Sequence, residues 1–127
     1  MSGEPDPKSR SLARGERRYR RKVASPKQWQ AIIDAKVGPC RVCTRPASNG
    51  HGFGLIEFHH LVSRAQGGDD VEDNIVPLCS HHHELITFSP GGESTRALGS
   101  SLTDAEYAYV ISKLGESGPA RLFGVRR

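Results

Sequence analysis

Residues 56–86, IEFHHLVSRAQGGDDVEDNIVPLCSHHHELI, decide how this chain folds. The stretch holds five of the six histidines and one of the three cysteines of the 127-residue chain. LIEFHH and NIVPLC have the length and the apolar content of short strands, and Pro77 restricts the second to a sheet edge or a strand end. SHHHELI follows directly and fits one or two turns of helix, with Ser80 as its cap. The order strand, loop, strand and helix predicts a small α+β unit.

Two pairs of metal-binding residues bracket most of this stretch. Cys40-x-x-Cys43 and Cys79-x-x-His82 each let two side chains reach one ion from a tight turn, and four such ligands predict a closed tetrahedral zinc site. The separation between the pairs exceeds that of a simple zinc finger, so a folded unit is expected between them. Two alternatives are a redox CxxC, which lacks a surrounding thioredoxin-like βαβ pattern, and buried cysteines with incidental spacing.

The zinc interpretation leaves His59, His60, His81 and His83 to be explained. Neighbouring residues of a strand point to opposite sides, so one of His59 and His60 can hold a metal while the other faces a water. On a helix, His83 is rotated by about 100° from His82 and points elsewhere. A second metal site can therefore form from His59 and His83, with positions left open for water and substrate.

CRVC, EFHHLVSRAQGG and DNIVPLCSHHHELI together resemble the HNH endonucleases, whose nuclease core is the ββα-metal (His-Me finger) fold. The resemblance covers about residues 38–87. It implies an α+β protein: a small ββα-metal nuclease core with flanking helices and a structural zinc site.

The resemblance also implies roles for individual residues. His60 matches the general base, and His59 matches the preceding metal ligand, which is Asp in many members. Asn74 matches the N of the motif, whose amide holds the loop and orients the base, and His83 matches the last metal ligand. His82 stands where the family usually has Cys. This leaves the register within residues 81–83 open, although the spacing from Asn74 favours His82 for zinc and His83 for the catalytic ion.

The activity implied is metal-dependent hydrolysis of DNA, by nicking or double-strand cleavage, in a one-metal mechanism that leaves 5′-phosphate and 3′-hydroxyl ends. Mg²⁺ or Mn²⁺ is the expected ion, and imidazole ligands also tolerate Ni²⁺, Co²⁺ or Zn²⁺. Small HNH proteins of this size resemble those that bacteriophages encode beside DNA-packaging terminases, so terminase or portal proteins are candidate partners; homing and restriction stay open. The alternative is a non-catalytic, zinc-dependent nucleic-acid-binding module, which leaves the His and Asn pattern unexplained.

Positive charge is concentrated at the N-terminus. The chain has a net charge of +4, and residues 1–27 hold nine of its 18 Lys and Arg residues. Such an arm is attracted to nucleic acid, and a solvated tail that binds nothing specific is the alternative. We expect salt-sensitive contacts with phosphates, largely independent of DNA sequence, from Arg17, Arg18, Arg20, Arg21, Lys22 and Arg64. Asp69, Asp70, Glu72 and Asp73 lack the EF-hand pattern and are expected to form a solvated acidic loop.

The chain divides into a basic, flexible arm (1–24), an HNH domain with flanking helices (25–116) and a C-terminal tail (117–127). Two capping boxes predict the flanking helices, one at Ser25 and Gln28 and one at Thr103 and Glu106, the latter helix ending at Gly115. Residues 90–101 are expected to be a Gly-rich spacer. No apolar run reaches the ~18 residues that cross a bilayer, and no secretory signal is expected. Three cysteines favour a cytosolic protein, in a bacterial host if it is phage-encoded, and both a monomer and a dimer remain open.

Overall fold

The computed structural model of the chain describes residues 21–43 and 55–127. Within these ranges it contains a two-stranded sheet and five α-helices. In chain order the elements are α1 (Pro26–Lys36), β1 (Ile56–His60), β2 (Ile75–Cys79), α2 (Ser80–Phe88), α3 (Glu93–Ser100), α4 (Asp104–Leu114) and α5 (Gly118–Phe123). No helix of the described ranges is long and apolar enough to cross a membrane.

The two strands form an antiparallel hairpin around the loop 61–74. Ile56 pairs with Cys79 at one end, and His60 pairs with Ile75 at the other. Both strands are edge strands, which accommodates Pro77 inside β2, and the Pro77 carbonyl accepts a hydrogen bond from the Arg41 N–H at 3.0 Å. Helix α2 begins at the residue after β2. This is the ββα-metal arrangement, and the predicted α+β fold is confirmed.

Local sequence signals set the boundaries of the flanking helices as predicted. The Ser25 and Gln28 side chains form a complete capping box at the start of α1, and Thr103 and Glu106 do so at the start of α4. Gly115, with a φ of 86°, ends α4 in a conformation that favours glycine.

Two segments differ from the sequence prediction. The expected spacer at 90–101 contains α3, and the expected tail at 117–127 contains α5. The two helices pack closely, as the space at Gly99 shows: a Cβ added there would lie only 2.5 Å from the Phe123 Cβ. Both Leu98 and Phe123 are buried in the core. Gly99 therefore permits a close contact between helices, whereas a Gly-rich spacer was predicted for this region.

One apolar core joins the hairpin to the C-terminal helices. Its buried aliphatic and aromatic members are Leu61, Val62, Val76, Leu78, Ile86, Leu98, Leu102, Val110 and Phe123. All five residues of β2 are buried, so the hairpin is covered by other elements over the length of that strand. Helices α3 to α5 thus complete the packing that a two-stranded sheet cannot supply alone.

Candidate functional site

Both predicted zinc half-sites meet in one cluster. The ligand atoms of Cys40, Cys43, Cys79 and His82 all lie within 4.8 Å of one another. The His82 Nδ1 is 3.6, 3.2 and 3.4 Å from the Sγ atoms of Cys40, Cys43 and Cys79, and the Cys43 and Cys79 Sγ atoms are 4.0 Å apart. Bonds of about 2.3 Å to sulfur and 2.0 Å to nitrogen in a tetrahedron give separations of roughly 3.5–3.8 Å. The four residues can therefore hold a metal such as zinc.

The start of α2 sets the geometry of the second half-site. Cys79 is the N-cap of α2, and its Sγ accepts the His82 N–H at 3.4 Å. N-cap and third helical position lie on the same side of a helix start, which brings the two ligands together. Burial, with the neighbouring Cys40 and Cys79, raises the pKa of Cys43 to about 12. Several thiolates in so small a volume repel one another, and a bound cation would relieve that repulsion.

His59 of β1 and His83 of α2 meet edge to face. Their ring centroids are 5.1 Å apart, with an interplanar angle of 72°. Burial, and then the nearby His83 and His60, lowers the pKa of His59 to about 4, so its ring is neutral at pH 7. A neutral imidazole keeps the lone pair that a metal requires. Within the described ranges, Cys40, Cys43, Cys79 and His82 form the only group of three or more potential metal ligands. His59 and His83 therefore offer two ligands, as a separate pair.

Glu57 belongs to the same site, although it was not among the site residues predicted from the sequence. Its Oε1 lies 2.6 Å from the His83 Nδ1, and its Oε2 accepts a bond from the Ser80 hydroxyl at 3.3 Å. This arrangement leaves the His83 Nε2 as the nitrogen with which it can bind an ion. The sequence contained a signal for Glu57, because residues 57 and 59 of one strand point to the same face of the sheet.

The ring of His60 is held on two sides. Its Nε2 lies 2.8 Å from the Asp70 Oδ1, and Trp29 of α1 stacks on the ring at 5.9 Å between centroids and 9° between planes. A ring fixed by one hydrogen bond and one stack has little freedom to turn.

Asn74 is the last residue of the loop that joins the two strands, and it is fully buried. Its Oδ1 accepts the Val62 N–H at 2.8 Å, and its amide nitrogen donates to the Val62 and Asp69 carbonyls at 3.1 and 3.0 Å. Its own carbonyl accepts the Leu61 N–H at 2.8 Å. Asn74 therefore holds both ends of the loop that directly follows His60.

The expected solvated acidic loop is wrong for two of its four residues. Asp69 and Asp70 are buried, whereas Glu72 and Asp73 are exposed. Asp69 accepts the Lys22 N–H at 2.6 Å and the Tyr109 hydroxyl at 2.7 Å. These carboxylates are buried because distant parts of the chain supply donors to them, which local sequence does not reveal.

The expected phosphate-binding residues divide into three groups. Arg17, Arg18 and Arg20 lie outside the described residues. Arg21 is partly buried, and its guanidinium donates to the Asp70 carboxylate and, at 2.7 Å, to the Gly68 carbonyl. Lys22 and Arg64 are exposed, and 62% of the Arg64 side chain is accessible.

Comparison with known proteins identifies one family that matches the segment containing this site. Residues 40–88 match the family model for the HNH endonuclease. No curated protein and no solved structure matches the chain. The matched segment contains the hairpin, its loop, α2 and the whole zinc cluster. The resemblance to the HNH endonucleases is therefore confirmed for this segment, and it supports nuclease activity on DNA at the level of the family.

Proposed function

We propose that this protein is a metal-dependent endonuclease that hydrolyses phosphodiester bonds of DNA. The observation that carries the proposal is the contact of His59 with His83 beside His60, inside the segment that matches the HNH endonuclease family. A zinc-dependent binding module has no need of an imidazole pair separate from its zinc ligands.

His59 and His83 are the residues proposed to hold the catalytic ion, with Mg²⁺ or Mn²⁺ as the expected metal. The 5.1 Å between their ring centroids suits two imidazoles that bind one ion. The chemistry that such an ion supplies when bound is neutralisation of charge on the scissile phosphate and on the departing 3′ oxygen. Glu57 holds the His83 ring by its Nδ1 at 2.6 Å and so fixes the direction of its other nitrogen.

His60 is the proposed general base. In this step it takes a proton from a water that attacks phosphorus, while the bond from phosphorus to the 3′ oxygen breaks. The departing 3′ oxygen takes a proton from solvent water, so the products carry 5′-phosphate and 3′-hydroxyl ends. Asn74 contributes by holding the loop next to His60 through its bonds to Val62 and Asp69.

Exposed cations are proposed to bind the DNA backbone without reading its sequence. Arg64 lies in the loop that follows β1, four residues after His60. Lys22 and the arginines 17, 18 and 20 extend this positive charge along the N-terminal arm. Arg21 is better assigned to the loop contact that it makes with Asp70.

The test is cleavage of supercoiled plasmid with Mg²⁺, Mn²⁺ or EDTA, followed by end mapping. We expect the wild type to nick or linearise DNA only with a divalent ion. His60→Ala should lower the cleavage rate by about 10²–10⁴-fold. It should keep its circular dichroism spectrum and its retardation of DNA in a gel.

His81→Ala is the matched control, because His81 is an exposed histidine of α2 that lies outside both proposed ligand sets. It should cut at close to the wild-type rate. Wild-type rates in His60→Ala would remove the base assignment. A wild type that binds DNA but does not cut it in the presence of either metal would leave the zinc-dependent binding module as the function.

A further inference from the structure

Asp70 lies in a buried position between the N-terminal segment and the proposed catalytic histidine. Only 5% of its side chain is accessible. Its Oδ1 faces the His60 Nε2 at 2.8 Å, and its Oδ2 accepts the Ala24 N–H at 3.0 Å. The Asp70 N–H donates in turn to the Lys22 carbonyl at 2.8 Å. Both carboxylate oxygens are thus engaged, and the backbone of the residue is fixed as well.

Asp70 is ionised at neutral pH. Burial raises the pKa of this carboxyl, but the Ala24 N–H, His60 and Arg21 outweigh burial and bring the pKa below its ordinary value. An ionised carboxylate can only accept hydrogen bonds. In the contact with Asp70, the His60 Nε2 must therefore be the donor, and the proton of a neutral His60 ring lies on Nε2.

The neighbours of His60 preserve this contact. Trp29 stacks on the ring with only 9° between the planes, so rotation of the ring out of line with Asp70 would break the stack. Asp69, next in the chain, is buried too, but it bonds to Lys22, Tyr109 and Lys113. Of the two adjacent carboxylates, Asp70 is the one that contacts His60.

We propose that Asp70 is a positioning residue for His60: it holds the ring proton on Nε2 and leaves Nδ1 as the nitrogen that accepts a proton from water. The inference rests on the proposed function, in which His60 is the base. When Nδ1 takes up the water proton, the ring becomes an imidazolium with protons on both nitrogens. The Asp70 carboxylate then stabilises that positive charge at 2.8 Å.

The first test measures the tautomer of His60 without any catalysis. Long-range ¹H–¹⁵N correlation spectra of the zinc-loaded protein, assigned with His60→Ala, should show His60 protonated on Nε2 in the wild type. In Asp70→Asn the ring should shift toward a mixture of tautomers, because the amide can donate as well as accept. A wild-type ring protonated mainly on Nδ1 would overturn the inference, whether or not the protein cuts DNA.

The second test uses cleavage kinetics. Asp70→Asn should lower kcat by roughly 10- to 10²-fold, part of what a general base contributes, with KM for DNA within about twofold of wild type. In a His60→Ala background the same substitution should cause little further loss, because Asp70 acts through His60. Asp69→Asn is the matched control: it removes a neighbouring buried charge without touching His60, and its kcat should stay close to wild type.

The outcomes separate this inference from the proposed function. Equal losses of kcat in Asp70→Asn and Asp69→Asn, or a full further loss in the His60→Ala background, would show that Asp70 merely supports the loop and would overturn the inference. Absence of cleavage by the wild type would remove the proposed nuclease. The tautomer measurement would still decide whether Asp70 sets the proton position of His60.

Discussion

Arg41 donates two parallel hydrogen bonds, of 2.8 and 2.7 Å, to the fully buried carboxylate of Glu106. Arg41 lies between the zinc-cluster residues Cys40 and Cys43, and Glu106 lies in the first turn of α4. Lys36 at the end of α1 binds the same carboxylate. The Glu106 carboxylate therefore links α1, α4 and the segment that carries the cysteine pair. It is not one of the proposed catalytic residues.

Glu106→Gln should destabilise the fold by about 3 kcal/mol or more, because it leaves Arg41 and Lys36 largely buried without their counter-charge. Burial raises the pKa of Glu106, but Arg41 and Lys36 outweigh it and lower the pKa to about 2 from an ordinary value of 4.5. This stabilisation is therefore complete above pH 4.5 and is lost as the pH falls toward 2. Urea unfolding between pH 3 and pH 7 measures both effects.

The matched control for this change is Glu116→Gln, which removes the same charge at an exposed position. Its unfolding free energy should stay within about 0.5 kcal/mol of wild type. If Glu106→Gln were equally mild, or if its deficit were the same at pH 3 and pH 7, the buried pair would not have the proposed effect.

The zinc cluster predicts one equivalent of zinc per chain. Cys43→Ser and His82→Ala should each lose the metal and lower Tm by roughly 10 °C or more, because the binding energy of a structural ion contributes directly to folding. His81→Ala should keep both zinc and Tm. Elemental analysis and thermal unfolding measure these outcomes, and loss of zinc in His81→Ala but not in His82→Ala would reverse the register within the three histidines.

Asn74→Ala should destabilise the protein by about 3 kcal/mol or more, because it strands buried backbone groups of Val62 and Asp69. Asn74→Asp tests the cause. It conserves shape but turns a carboxylate oxygen toward the Val62 and Asp69 carbonyls, which now accept from the amide at 3.1 and 3.0 Å. The aspartate variant should therefore be no more stable than the alanine variant in urea unfolding. Recovery of stability by Asp would show that side-chain volume, not the amide, holds the loop.

Gly68→Ala should be strongly destabilising. A Cβ at this position would lie 1.7 Å from the Val62 carbonyl oxygen and 2.9 Å from the Asn74 amide nitrogen, so the loop would have to move. Gly38→Ala is the control, since a Cβ there meets no atom within 4 Å. Thermal unfolding should separate the two variants clearly. Similar Tm values would contradict the close approach of Gly68 to the Val62 carbonyl.

The basic arm should contribute to DNA affinity in a salt-dependent way. Replacing Arg17, Arg18 and Arg20 together by Ala should weaken binding to any DNA sequence. For each phosphate that the arm no longer neutralises, the slope of log K against log salt should become shallower by about 0.9. Fluorescence anisotropy at salt concentrations from about 50 to 200 mM measures this, and an unchanged slope would assign the arm no role on DNA.

Local chemistry explains why so much of the fold could be predicted. The capping boxes at Ser25 and Thr103 act within four residues, so they can be recognised without knowledge of the rest of the chain. The zinc cluster could be predicted for a related reason. The two ligands of each pair are close in sequence, and only the contact between the two pairs is long-range.

Long-range contacts account for what was missed. The carboxylate of Asp70 is buried because Ala24 and Arg21, more than forty residues earlier, supply its donors. Gly99 indicates a loop when only its sequence neighbours are considered, yet in the fold it allows α3 to approach Phe123. No local pattern contains these partners, so the burial of Asp70 and the helix α5 could not be inferred from sequence.

Tyr109 and Lys113 bind Asp69 from α4, just as Glu106 binds Arg41 from the same helix. A fragment trimmed to the segment 40–88 would thus carry every proposed ligand and the proposed base, yet Arg41 and Asp69 would be left without these counterparts. A fusion protein that carries the proposed site should therefore include the chain from Arg21, which bonds to Asp70, through α5.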